Sequence, residues 1–220
     1  MAPCIVTVRP CVTDIYSFVS DESNRCHVTG QDPFGSYEAA GVVVAVDLVN
    51  ELALEHAFGR PVPPTDPFAA IQRVLAIDPP SAAHLRERDV PGFIALAKRL
   101  REAFADLDRG ALDAAASRLN DLLAAHPAHP HLAKDDGQWC LHHHPVDAAL
   151  VPMATAICAE GMARMIGAGA SSRLGTCDSD DCDRVFLDGS KNASRRFCST
   201  TCQNRVKAAA FRRRQETRGH

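Results

Sequence analysis

Nowhere in the 220 residues does an apolar stretch approach the roughly 18 to 20 that span a bilayer, and the longest candidates are interrupted by glycine, proline or charge. No helical membrane anchor is expected. The opening MAPCIVTVRP has no basic segment followed by a sustained apolar one, so a secretory signal is not expected and the default compartment is a reducing cytoplasm. Catalytic signatures are scarce too. The histidine run His142, His143 and His144 has no HExxH spacing or acid pair beside it, and adjacent residues of a strand point to opposite faces. These histidines are assigned to surface or hairpin packing, and the chain is not expected to be an enzyme. The sole tryptophan, Trp139, is assigned to the core. Cys4, Cys11, Cys26, Cys140 and Cys158 have no close partner in sequence, which argues against a redox pair.

The apolar content of 46% in a chain of this length supports one good core and a small annex. Charge divides the chain unevenly. Residues 1–172 carry 13 Lys+Arg against 21 Asp+Glu, whereas 173–220 carry 11 against 6. An acidic body thus carries a cationic module that is able to approach a polyanion. Three segments are expected: a loosely ordered extension over 1–31, a helical domain over 32–172, and the module over 173–220.

Apolar periodicity predicts a helix from Tyr37 to about Ala57 through Val42, Val46, Val49 and Ala53, ended by Gly59 and the prolines after it. Asp66 as N-cap with Pro67 at the first helical position opens a second helix, and Ser81 a short third. The stripe Phe93, Ala97, Leu100, Phe104 and Leu107, closed by Gly110, and the run Leu112, Ala116, Leu119 and Leu122 or Leu123 predict an antiparallel helical pair. LAKDDGQWCL reads as a β-hairpin around Asp136-Gly137. A long helix from Val146 through Met165 follows, with Pro152 either kinking it or setting its start.

The module holds Cys177-x4-Cys182-x15-Cys198-x3-Cys202. Closed zinc sites take four tetrahedral thiolate or imidazole ligands, usually as two short-spaced pairs on separate stretches of backbone. TCDSDDC can turn as a knuckle, and the i, i+4 spacing of CSTTC puts both sulfurs on one face of a helix's first turn. RVFLD and the turn-forming GSKN read as a small hairpin between them. Four buried free cysteines or two disulfides are the alternatives. The fold expected is mainly α (α+β): an α-helical N-terminal domain with a small β-hairpin, and a C-terminal treble-clef-like zinc finger holding one structural Zn2+.

FLDGSKNASRRFCSTTCQNRVKAAAFRRR resembles the C-terminal finger of the CGNR zinc-finger family, and VAVDLVNEL at Val44–Leu52 is similar to the L-D-x-V-N signature of the ABATE domain that precedes it there. Gln203 stands where that motif has glycine and Phe197 where it has tryptophan. The resemblance covers about residues 32–215. It implies a stress-induced transcriptional regulator, zinc ligation by Cys177, Cys182, Cys198 and Cys202, and a polar framework of Asp188, Ser190, Asn192, Arg195, Arg196, Asn204 and Arg205. An Asp188–Arg205 ion pair is one reading of that framework.

Double-stranded DNA is the expected partner, met by Arg195, Arg196, Arg205, Lys207, Arg212, Arg213 and Arg214, and useful specificity calls for a homodimer. A solvated terminal helix is the plainer reading of the last four. The aspartates Asp178, Asp180, Asp181 and Asp183 argue against DNA if they line the same face. The alternative is a finger that serves as a folding clip or protein-docking module, with the helical domain binding an unknown small-molecule effector or partner. Asp47 and Asn50, the polar pair in an apolar helix, are a candidate site there, or else a local hydrogen bond.

Overall fold

The helices follow from apolar spacing, and their ends from capping. A computed structural model of the chain describes residues 36–135, 138–142, 144 and 147–218. The 1–31 extension, Asp136-Gly137, His143, Val146, Cys4, Cys11 and Cys26 lie outside the described residues. In chain order the elements are α1 (Ser36–Leu52), β1 (His56–Ala57), β2 (Arg60–Pro61), α2 (Pro67–Leu75), α3 (Pro79–His84), α4 (Val90–Asp108), α5 (Leu112–Ala125), β3 (His131–Asp135), β4 (Gln138–His142), α6 (Leu150–Gly167), β5 (Leu174–Thr176), β6 (Val185–Leu187) and α7 (Thr200–Arg218). Among the described residues the strands form three antiparallel two-stranded ribbons, β1–β2, β3–β4 and β5–β6. The architecture is a helical body with a zinc-finger-like C-terminal unit, and no described helix is long and apolar enough to cross a membrane.

Helix α1 is the axis of the body. Its run of Val and Ala is apolar nearly all round, which suits a helix covered on several sides, and α2, α4 and α6 all pack on it. Val42, Leu48, Phe93, Leu100, Phe104, Leu119 and Met162 are fully buried in this core. Asp66 accepts from the Phe68 N–H at 3.0 Å, as an N-cap should. Gly110, at φ +72, ends α4, letting the Ala111 N–H reach the Asp106 carbonyl at 2.8 Å. Buried Asp106 then ties α4 to α5 through Arg118 at 2.6 Å and holds Arg109 at the end of its own helix at 2.5 Å.

Three expectations change. Helix α1 stops at Leu52, and β1–β2 occupies 56–61, because the Glu55 and His56 N–H groups bond the distant Asp183 carboxylate. Trp139 is not core but 65% exposed. In the β3–β4 register it faces Lys134, whose ammonium lies 5.2 Å from its ring, while His142 on the opposite face turns inward. Strand β6, from RVFLD, pairs backward with β5 across the knuckle rather than forward with GSKN. Buried His142 and His144 pack with His131, ring centres 5.2 to 5.8 Å apart.

Helices α1 and α6 touch backbone to backbone. A Cβ on Gly41 would lie 2.5 Å from the Ile157 carbonyl oxygen, and one on Gly161 3.0 Å from the Val42 nitrogen. Alanine is the better helix former by about 1 kcal/mol, yet overpacking costs about 1–3 kcal/mol. Gly41→Ala is therefore expected to lower the melting temperature, whereas Gly167→Ala, with open space around it, raises it; thermal denaturation of both variants checks the contrast.

Candidate metal centre and basic helix

The sulfurs of Cys177, Cys182, Cys198 and Cys202 all lie within 4.8 Å of one another. Cys182–Cys198 is 3.8 Å, while Cys198–Cys202 and Cys202–Cys182 are 3.7 Å. Those separations are far longer than the about 2.05 Å of a disulfide. They match the edge, about 3.8 Å, of a tetrahedron of sulfurs about 2.3 Å from a zinc ion. The four buried thiols fit one structural zinc, and a closed four-sulfur site leaves no coordination position for substrate. Hydrogen bonding from Cys198 pulls the Cys177 thiol down to about 5, whereas burial pushes Cys182 up and the bond to Cys177 pushes Cys198 up.

Each ligand is placed by a local device. Cys177 follows β5 and bonds its N–H to the Arg184 carbonyl at 2.9 Å, closing the knuckle; Asp181 turns it at φ 52. Ser199 caps α7, its hydroxyl accepting from the Cys202 N–H at 3.3 Å. The helix therefore starts after Cys198, and only Cys202 of the second pair is helical. Cys198 sits in the preceding loop, its N–H donating to the Cys177 sulfur at 3.4 Å. Phe197 packs against the cluster, so an aromatic ring keeps that role without an indole. Gln203 is exposed on α7, where a side chain meets no obstruction.

Asp188 organises the 188–198 loop. Only 1% exposed, it accepts from the Ser190 N–H at 2.8 Å and the Arg195 N–H at 2.7 Å. Burial works against its charge, but the bonds from Ser190 and Arg195 and the nearness of Arg173 outweigh it and hold the carboxyl below its ordinary value. With both oxygens so engaged, Asp188 does not pair with Arg205. Arg205 instead donates to the Ser179 hydroxyl at 3.0 Å and the Asp180 carbonyl at 3.2 Å. Arg195 donates to the Phe197 carbonyl at 2.9 Å and to that of Cys198, its guanidinium 5.0 Å from the Phe186 ring centre. Ser190 accepts from Ser194 through its hydroxyl.

The unit is bolted to the body. Asn50, buried on α1, donates to the Val185 carbonyl and accepts from the Val185 N–H, both at 3.0 Å. This bond is long-range, not the local one considered for Asn50. Asp183, which sequence reasoning weighed only as a charge, accepts from the Glu55 and His56 N–H groups at 3.1 and 2.8 Å and lies 3.3 Å from Arg101. The Gly59 N–H donates to the Asp181 carbonyl at 2.9 Å, and a Cβ on Gly59 would strike the Arg205 guanidinium at 1.8 Å. Leu174 and Val185 belong to the core of the body. Asp47 is largely enclosed beside this joint. Burial raises its carboxyl from 3.8 to about 6, with Arg184 pulling it down and Glu51 pushing it up.

The seven cationic candidates divide. Arg195 and Arg205 are half-buried and hydrogen-bonded within the finger, and Arg196 pairs with Asp178 at 2.6 Å on the surface. Lys207, Arg212, Arg213 and Arg214 are exposed along α7, as is Asn204. Asp178 and Asp183 thus serve inside the finger and the joint.

The family model of the CGNR zinc finger matches residues 173–215. That of ABATE, described as "Putative stress-induced transcription regulator", matches residues 43–169. No curated protein matches the chain.

Two outcomes are expected of the joint. Asn50→Ala strands a buried N–H and carbonyl on Val185, each worth about 1–3 kcal/mol when unsatisfied; it is expected to lower stability by about 2–4 kcal/mol in denaturant titrations and to speed zinc release to a colorimetric chelator. Asp47 holds its proton in the folded chain up to about pH 6 but gives it up near 3.8 when unfolded. Stability is therefore lost as pH rises through that window, by about 3 kcal/mol at about 1.4 kcal/mol per tenfold change in proton affinity. Asp47→Asn is expected to melt higher than the parent at pH 8, with the gap narrowing toward pH 5.

Proposed function

Since the chain belongs to the ABATE family and ends in a CGNR zinc finger, we propose that it is a transcriptional regulator that grips double-stranded DNA with α7. The observation that carries this reading is the helix itself. From Arg212 to Glu216 every residue of α7 is exposed, and three of those five are arginines. A helix that leaves the Arg212–Glu216 stretch uncovered, anchored at the other end by a zinc ligand, has the dimensions of a major-groove probe. Near its start, a groove of about 490 Å3 is lined by Arg196, Phe197, Ser199, Thr200 and Gln203. Hydroxyls, helical N–H groups and an exposed guanidinium, engaged by the Asp178 ion pair and the Phe197 ring, suit a phosphodiester. One helix reads few base pairs, so site selection would need two copies.

A second reading rests on a different observation. The finger completes the core of the body through Leu174 and Val185, and a folding clip would do the same without touching DNA.

Fluorescence anisotropy of the zinc-loaded chain on mixed-sequence duplexes across a salt series separates the two. Phosphate contacts by Lys207, Arg212, Arg213 and Arg214 predict a log–log slope near −4, at about −0.9 per contact. Replacing the three arginines by alanine is expected to bring the slope near −1 while zinc content stays at one ion per chain. Absence of binding at low salt would sink the DNA reading and leave the clip.

A further inference from the structure

The finger and body do not meet everywhere. Between them lies a cleft of about 590 Å3, with the end of α1 and one face of α4 on one side and β5, the knuckle and β6 on the other. Its volume falls within the about 300–1,000 Å3 typical of small-molecule sites. Leu52, Leu54, Ala105 and Val185 supply apolar walls. Into the same space come Lys98, Arg101 and Thr176, and three acids, Glu55, Glu102 and Asp183.

The charges sort by what already engages them. Asp183 is satisfied by two backbone N–H groups and Arg101. Glu102 is held by Arg118 at 2.5 Å. Among the described residues that leaves one side-chain cation, Lys98, and one carboxylate, Glu55, without an ion partner at the cleft, together with a buried Thr176 hydroxyl that makes no hydrogen bond. A cleft with one unmatched charge of each sign, a spare hydroxyl and apolar walls is complementary to a small molecule that carries both charges and an apolar body.

We propose that this cleft binds an amphiphilic zwitterion of the amino-acid type, its carboxylate on Lys98 and Thr176, its ammonium on Glu55, and its side chain against Leu52, Leu54, Ala105 and Val185. Such a ligand touches the body and the finger at once. It therefore favours whichever arrangement of the two closes the cleft around it. The proposal names an occupant for the effector site of a regulator, yet it is read by ligand binding alone and stands or falls whether or not the chain binds DNA.

The test is isothermal titration of the zinc-loaded full chain with L-phenylalanine, L-leucine and the dipeptide Leu-Phe. Phenylpropionate, which lacks the ammonium, and phenethylamine, which lacks the carboxylate, serve as comparators. At least one zwitterion is expected to bind saturably at one per chain, and both comparators at least tenfold more weakly. Lys98→Gln is expected to abolish the advantage over phenethylamine, Glu55→Gln the advantage over phenylpropionate. Ala105→Trp, which fills the cleft away from the zinc ligands, should remove binding while zinc content and melting temperature are retained. No saturable binding by any of the three zwitterions overturns the proposal, as does binding that survives in a folded, zinc-loaded Ala105→Trp chain or that fails to distinguish the comparators. If Ala105→Trp does not fold, the two charge-removing variants decide by the same ratios.

Discussion

A buried primary amide must find partners for its N–H and carbonyl, and Asn50 finds both on one residue of a strand. Val185 pairs with Thr176 on one side and with the Asn50 side chain on the other. In effect α1 lends the ribbon a third strand one residue wide. Each such bond adds only about 0.5–1.5 kcal/mol net, but the cost of leaving it unmade inside the protein is larger. That asymmetry makes the joint selective for register. Slipping β6 by one residue would turn Val185 out of the core and leave Asn50 unsatisfied at once. Cys182 lies three residues before Val185, so fixing the strand also fixes one corner of the zinc tetrahedron.

Much of this was readable from the sequence. The α4–α5 pair, the Asp66 cap, the four-thiol site and the basic tail all rest on local patterns: periodicity, capping chemistry, short-spaced ligands and charge runs. What stayed hidden was decided by partners far along the chain. Helix α1 ends where it does because Asp183 takes the N–H groups of Glu55 and His56, and nothing between Ala53 and Ala57 announces that. The backward pairing of β6 depends on β5, a segment too short to carry a period. Asn50 stood out as polar within an apolar helix, but its partner was not legible. Trp139 was misplaced because a sole tryptophan invites burial, whereas a two-stranded ribbon has only one face to bury.

The charge-bearing residues of the finger also changed meaning. Counted in sequence, its acids oppose a polyanion and its bases attract one. In the structure many of these charges are committed locally: Asp188 to loop N–H groups, Arg195 to carbonyls, Arg205 to the knuckle, Asp183 to the body. The small unit lacks the apolar mass to fix its own loops, so ionic and polar bonds around the metal do that work. The exposed cations Lys207, Arg212, Arg213 and Arg214 lie along α7 instead.

The Asn50–Val185 bonds join residues 135 positions apart, and the Asp183–His56 bond spans 127. Contacts of such span are the slowest kind to form, since the intervening loop must close before either end gains anything. The segment after α1 therefore has to wait, through the synthesis of the whole body, for a partner made 127 residues later. Until the knuckle exists and holds its ion, β1–β2 has no anchor and the cleft beside it no far wall. Metal supply thus sets the moment at which an already compact body acquires its last edge.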